Sequence, residues 1–518
     1  MNHAQSIGER SAALSWRMAI GPLAALMLLA IGLWNLGAPG TWWDEGWTLS
    51  VARNWVESGH YGRLLVGQLA PPGLEASFTV TAPVALSFRL FGVGIWQGRL
   101  FGVLCTLVVL ALIYHLALRL YNRPVAIGTL AVLLLMSMHP QLHPLIMGRQ
   151  VLAEMPMLCY LLAGYVCLLP AFRRPLCLLP TAIFWGIALI TKAQTLPFWL
   201  VSLAVPLLIT LFTRRWRMTI LLGAGAFGAF AVSRGLPMLW GLLLRGHTLP
   251  GSAVSGLYEV TALVPNLLNR EFALANALLF GLSTALGLGY AAWRAFRSRA
   301  VWAVDFDREL VRLALLVLAG SWFAWFVLLS VGVPRYLFPA TFIGSIFVAA
   351  LLYDLTDGFS LAATLKRGAD LFRRGGRDRR CAGAWLAILI VAVALPITAQ
   401  TLYHYYIANA DTSALQAADF LNTRTPSGTL IETYESELHF LLNRRYHYPP
   451  DQLHVELNHL SLLNQDVAID YDALAANPDY LVVGTFGEGN GLYDRVIASG
   501  AFRLLQSYGH YAIYELVR

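Results

Sequence analysis

The sequence predicts an all-α polytopic membrane protein of about eleven transmembrane helices, followed by a small extramembrane α/β domain. Three observations predict it. First, of 518 residues 57% are hydrophobic and 13% charged, with a mean hydropathy of +0.59, whereas a soluble domain carries roughly 25% charged residues. Second, arginine clusters recur between apolar runs and all fall on one side of the bilayer if the N-terminus is cytoplasmic. Third, after about residue 404 Asp, Glu, Asn and His appear at ordinary soluble frequency. The net charge of +8 does not indicate nucleic acid, because the cations sit where the positive-inside rule places them.

Segments long enough to span are 18–36, 97–118, 124–141, 150–170, 176–191, 195–212, 218–243, 273–292, 311–331, 336–353 and 384–403. The first has an arginine-bearing start and no small-residue cleavage site after it, so it reads as a helix and not as a cleaved signal. Arg10 and Arg17 precede it. Arg119 and Arg123, Arg173 and Arg174, Arg214 to Arg217, Arg294 to Arg299, and the run from Lys366 to Arg380 each follow an even-numbered span. The opposite side holds a first loop, 37–96, and everything after the last span. The expected division is a transmembrane module, 1–405, and a terminal domain, 406–518. In the latter, Thr412 and Ser413 can cap a helix through Leu421, and 429–433, 480–484, 502–508 and 512–517 read as strands. Five cysteines (Cys105, Cys159, Cys167, Cys177, Cys381) lie in or beside apolar runs and imply neither disulfides nor a zinc site.

Four outer segments carry ionisable residues. Thr41-Trp42-Trp43-Asp44-Glu45-Gly46 puts two carboxylates just past the first span. A solvated acidic loop with interfacial tryptophans is the plain reading, but a carboxylate beside apolar rings at the membrane boundary is a functional candidate. In Gly148-Arg149-Gln150-Val151-Leu152-Ala153-Glu154-Met155-Pro156, Arg149 opens the fourth span and Glu154 lies inside the apolar stretch; Glu154 either pairs with Arg149 or faces a polar cavity. Thr191-Lys192 holds one of only two lysines, either snorkelling or serving as a point charge for phosphate. In Pro334-Arg335-Tyr336-Leu337-Phe338-Pro339, Arg335 offers a fork suited to phosphate or a structural pair at a broken helix end. His139 and His143 have helical metal spacing, but Pro140 and Pro144 break the helix. Two acids and up to three cations on one face suit transfer from a phosphate-linked donor: cations stabilise the departing phosphate and one carboxylate takes the acceptor proton. That chemistry inverts the anomeric centre.

These stretches, with Ala52-Arg53-Asn54, Thr81-Ala82-Pro83, Phe91-Gly92-Val93-Gly94 and Gln97-Gly98-Arg99-Leu100, resemble the GT-C membrane glycosyltransferases over roughly residues 15–350. Within them they resemble the branch akin to protein O-mannosyltransferases and the lipid A aminoarabinose transferase. The resemblance implies a GT-C-like module, a periplasmic active site in the first outer loop with juxtamembrane helices, and a polyprenyl-phosphate sugar donor. It implies Asp44 as catalytic base, with Glu45 and Glu154 as further acidic catalytic residues. It implies Arg149, Lys192, Arg335 and Tyr336 as the donor-phosphate set. Where some relatives have an acidic residue and a lysine before a Pro-Pro pair, Leu69-Ala70 precede Pro71-Pro72 here, so a metal ligand and a phosphate contact are missing. No cofactor is required, and a divalent metal stays open. The expected partners are the lipid-linked donor, a lipid, glycan or protein acceptor, and membrane lipids. The expected location is a bacterial inner membrane, multi-pass, with the terminal domain outside. A flippase for lipid-linked sugars is the alternative; it is disfavoured because no inverted repeat is visible.

Overall fold

The computed structural model describes residues 23–41, 43–247, 255–264, 266–297, 305–373, 379–408 and 411–518. Arg10, Arg17, residues 18–22 of the leading span, Trp42, Arg299, Arg374 and Arg377 lie outside the described residues. The chain is mostly helical. Among the described residues seven helices are long and apolar enough to cross a bilayer, including Ile95–Leu120, Glu154–Ala171, Thr195–Phe212, Trp216–Leu243, Phe306–Leu329 and Pro334–Leu355. Leu23–Leu33, Arg123–Leu135 and Pro175–Thr191 are shorter apolar helices. The expected straight span 273–292 is instead two helices, Leu267–Phe280 and Leu282–Arg297, bent by 80°. The bend falls at Gly281, where a Cβ would lie 2.9 Å from both the Ala277 carbonyl and the Phe323 ring.

The helices pack through small residues, as bilayer helices do when no water drives them together. Gly164 faces the Trp185 ring and Gly186 faces Val232, and in each case a Cβ would come within 2.5 Å of that side chain. Trp185, Trp199, Trp322 and Tyr165 are fully buried in the resulting core.

The first loop is itself structured. It holds the helix Trp43–Ser58, a hairpin of β1 (Leu64–Leu65) and β2 (Gln68–Leu69), and the helix Phe78–Phe91. The chain then returns to the bilayer through Ile95–Leu120.

The terminal residues form a mixed five-stranded sheet of β3 (Leu430–Thr433), β4 (Arg445–His447), β5 (Tyr480–Val483), β6 (Phe502–Tyr508) and β7 (Tyr511–Leu516), in the order β4-β3-β5-β7-β6. The β3 pairings to β4 and β5 are parallel and those of β7 antiparallel. Four of these strands were legible in the sequence. The three-residue β4 and the helices Ser436–Leu441 and Asp451–Leu463 were not. The helix Ser413–Arg424 is present, but its first turn is held by Asp411, whose Oδ1 accepts from the Ser413 N–H at 3.0 Å, and not by the Thr412 side chain.

Candidate active site

Backbone termini place the charged groups. Asp44 and Glu45 occupy the first turn of Trp43–Ser58, and Glu154 opens Glu154–Ala171; the positive helix end stabilises carboxylates there. Lys192 follows the last residue of Leu178–Thr191, where the negative end favours a cation. The fourth span was expected to start with Arg149. Residues 151–153 are non-helical, so the helix begins at Glu154; Pro156 sits in its first turn, where a missing N–H costs nothing, and its ring would clash with the Leu152 carbonyl if the helix began earlier.

Four of the seven expected residues converge with a fifth beside them. Lys192 Nζ lies 2.6 Å from Glu154 Oε1, and Arg335 Nε lies 3.4 Å from the same oxygen. The Arg335 guanidinium also donates to Asp44 Oδ2. The result is a row of alternating charge: Lys192, Glu154, Arg335, Asp44. The Tyr336 ring flanks both cations, its centroid 5.7 Å from Lys192 Nζ and 5.8 Å from the Arg335 guanidinium carbon. The Trp322 Nε1–H donates to the Tyr336 carbonyl at 3.1 Å, and the Arg335 N–H donates to Gln141 Oε1 at 3.2 Å. The two carboxylates differ in access. The Asp44 side chain is 35% exposed and that of Glu154 only 4%. Asp44 is therefore open to the cavity, while Glu154 is buried against two cations.

Glu45 and Arg149 are not part of this row. Glu45 makes a bidentate, fully buried pair with Arg99, with Nε to Oε1 and Nη2 to Oε2 both 2.8 Å, and its Oε1 also accepts from the Val151 N–H at 3.1 Å. Arg149 donates to the carbonyls of Ala38 and Trp34 and stacks 3.8 Å from the Tyr406 ring centroid. The Arg149–Glu154 pair considered from the sequence does not form; Lys192 and Arg335 satisfy Glu154 instead. His139 and His143 act as caps, their Nδ1 atoms accepting from the Gln141 and Leu145 N–H groups. Among the described residues no three His, Cys, Asp or Glu side chains cluster as metal ligands.

The row lines one side of a cavity of about 470 Å³. Further lining comes from the terminal residues, which the sequence did not single out: Tyr434, His454, Asn458, Phe486 and Asn490. A local signal did exist. His454, Asn458 and Ser461 are spaced to share one face of Asp451–Leu463. Trp43 joins the walls: its Nε1–H donates to the Tyr434 carbonyl at 2.9 Å, and its ring stacks on His454 with centroids 4.5 Å apart. Burial pushes the His454 imidazole down to about 4, against the raising effect of Asp44, so the ring is neutral at neutral pH.

The terminal unit is clamped to the first loop at several points. Arg63 binds Asp451 through both Nη atoms, at 3.0 and 2.6 Å, and lies over the Trp47 and Tyr448 rings. Arg53 Nη1 donates to the Phe440 and Leu442 carbonyls at 2.7 and 2.9 Å. Gly46 runs against the backbone of Ser436–Leu441, where a Cβ would fall 2.3 Å from Glu437 Cα. Beneath this contact Glu435 and Glu437 are buried, and burial raises both carboxyls. Glu435 Oε1 accepts from the Gly484, Phe486 and Gly487 N–H groups, and Glu437 accepts from the Tyr511 hydroxyl.

Raised carboxyls stabilise the fold fully below the unfolded Glu value, roughly pH 4, and that contribution is lost as pH rises through the folded values. The histidines buried neutral oppose this trend until the unfolded imidazole, near 6.5, has lost its proton, so the fall in thermal stability is expected above about pH 7.5. Glu437→Gln is expected to flatten that slope in thermal unfolding scans at stepped pH. An unchanged slope contradicts the assignment.

Residues 78–237, which include Glu154 and Lys192, match the family Dolichyl-phosphate-mannose-protein mannosyltransferase. No curated protein matches the chain by sequence. Among solved structures, ArnT from Cupriavidus metallidurans bound to undecaprenyl phosphate superposes with a TM-score of 0.64 at 15% identity, covering 97% of this chain and 98% of that one. The oligosaccharyltransferase AglB from Archaeoglobus fulgidus, in complex with an inhibitory peptide and a dolichol-phosphate, gives 0.55 at 14% identity, covering 91% and 70%. The apo Archaeoglobus fulgidus oligosaccharyltransferase gives 0.54 at 13%, covering 90% and 69%. The chain thus shares the GT-C fold of these structures, and its residues 78–237 match the mannosyltransferase family model.

Proposed function

We propose that the protein is an inverting glycosyltransferase that moves a sugar from a polyprenyl-phosphate donor to an acceptor hydroxyl at the outer face of a bacterial inner membrane. The observation that carries the reading is the Lys192–Glu154–Arg335–Asp44 row lining one cavity. The ArnT and AglB structures solved with undecaprenyl phosphate and dolichol-phosphate support a donor of that class. The arginine distribution supports the sidedness, with 1–405 as the membrane module and 406–518 outside.

In this reading Lys192 and Arg335 receive the donor phosphate, beside Tyr336. The acceptor oxygen attacks the anomeric carbon from the face opposite the phosphate, and the carbon–oxygen bond to phosphate breaks. Polyprenyl phosphate leaves with the electron pair, its charge met by the two cations. Asp44 takes the hydroxyl proton. Arg335 pairs with Asp44 in the structure, so the arriving phosphate would draw the guanidinium away and expose the base as the donor seats. Glu154 keeps both cations aimed. Glu45 and Arg149 position the surrounding backbone.

The test is transfer from a panel of radiolabelled polyprenyl-phosphate sugars by protein in nanodiscs. Arg335→Lys keeps the charge and loses the fork. It is expected to lower kcat/KM about 10²-fold, the size typical of removing one oxyanion donor. Transbilayer movement of donor with no transfer would instead support a flippase.

A further inference from the structure

The charged groups lining the cavity all belong to the row. Among the described lining residues Asp44, Glu154, Lys192 and Arg335 carry charge, two of each sign, and each is already matched within the row. The wall formed by the terminal residues and Trp43 is neutral. It holds an aromatic cluster: Trp43 lies 4.5 Å from His454, 5.2 Å from Phe486 and 5.3 Å from Tyr434, centroid to centroid. Trp43 and Tyr434 are buried, whereas His454 and Phe486 are half-buried and present their rings to the cavity.

Two side-chain amides stand beside the rings, each anchored through its nitrogen. Asn458 Nδ2 lies 2.9 Å from His454 Nε2, and Asn490 Nδ2 donates to the Phe486 carbonyl at 2.7 Å. With the nitrogen held, each amide can offer its oxygen as an acceptor to a ligand hydroxyl. His454 is fixed on its other side by the Tyr434 hydroxyl at 2.6 Å.

We propose that this wall seats a neutral pyranose ring, so that the acceptor is a carbohydrate hydroxyl. The inference rests on the glycosyl-transfer reading above and narrows its acceptor class. A pyranose presents one apolar C–H face, which packs on aromatic rings, and a rim of hydroxyls, which amide oxygens accept from. A phosphorylated acceptor would bring an anion to a wall with no cation, and burying an unpaired charge is costly. The transferring step is unchanged: the sugar hydroxyl oxygen bonds to the anomeric carbon, its proton goes to Asp44, and the anomeric carbon–phosphate oxygen bond breaks with the pair leaving on the phosphate.

The experiment uses full-length protein in nanodiscs of phosphatidylethanolamine and phosphatidylglycerol, with polyprenyl-phosphate sugars as donors. Three acceptor probes compete: p-nitrophenyl hexosides, their 6-phosphates, and a peptide containing Ser and Thr. The expected result is transfer to the neutral hexosides. Phe486→Leu and Asn458→Ala, each checked for folding by its thermal transition, are expected to raise the hexoside KM about tenfold, equivalent to about 1.4 kcal/mol, with a smaller effect on kcat. Saturation-transfer NMR of methyl hexosides is expected to show ring C–H protons saturated by wild-type protein and less so by Phe486→Leu.

Preference for the peptide or the 6-phosphates, or a raised donor KM in place of the hexoside KM, overturns the proposal. Donor consumption with transfer to peptide alone defeats this inference and leaves glycosyl transfer standing. If no donor is consumed, the glycosyl-transfer reading fails, and the NMR signal still decides whether the wall binds a sugar.

Discussion

Asp44→Asn is expected to lower glycosyl transfer by roughly 10²–10⁴-fold, the range a positioned general base contributes. The substitution is isosteric and removes the capacity to accept a proton. Asp44 is the accessible carboxylate of the row, while Glu154 is buried against two cations. The same substitution also removes the ion pair to Arg335, so a donor phosphate no longer competes with Asp44 for the guanidinium. The donor KM is therefore expected to hold or fall while kcat collapses, a split that a misfolded variant does not produce. Transfer within tenfold of wild type would remove Asp44 as the base. Steady-state kinetics with varied donor at saturating acceptor measures both parameters.

Arg99→Met is expected to have the largest effect on stability, about 3–5 kcal/mol, because it strands a fully buried carboxylate. Glu45 and Arg99 are both inaccessible and bonded through two parallel contacts at 2.8 Å. Arg99 also donates to the Leu36 and Pro39 carbonyls at 3.1 and 2.8 Å, and Glu45 reaches the Val151 N–H. One ion pair thus ties the exit of the first helix, the helix bearing Asp44 and the segment leading to Glu154. The double variant Glu45→Leu with Arg99→Met removes both charges and is expected to regain part of the loss. Thermal unfolding of the single and double variants checks this. If Arg99→Met and the double variant are equally destabilised, the stranded charge is not the cause.

Glu45 shows why a local motif has limits. In the sequence Asp44 and Glu45 are equivalent neighbours after a pair of tryptophans. In a helix, adjacent residues project about 100° apart, so one carboxylate faces the cavity and the other turns inward to Arg99. Which one does so depends on where the helix Trp43–Ser58 is docked. Docking is set by residues almost 400 positions away, including Tyr434, Ser436 and Asp451. The same holds for Arg149. It has the cationic character and the outer position expected of a phosphate ligand, yet carbonyls exposed after the first helix capture it.

The sequence by itself determined the class of solvent, the positions of the apolar segments, most strands of the terminal sheet and the list of ionisable outer residues. These follow from composition and short-period patterning, which one chain carries in full. Only the tertiary structure decided which charges meet. Lys192, Glu154, Arg335 and Asp44 come from four separate helix ends, and the helix ends themselves fix where each charge can sit. The structure alone also revealed that Tyr434, His454, Asn458 and Phe486 line the same cavity. These residues look like ordinary surface positions of a soluble domain until that domain is docked on the first loop, because aromatic and amide side chains acquire a binding role only from what they face.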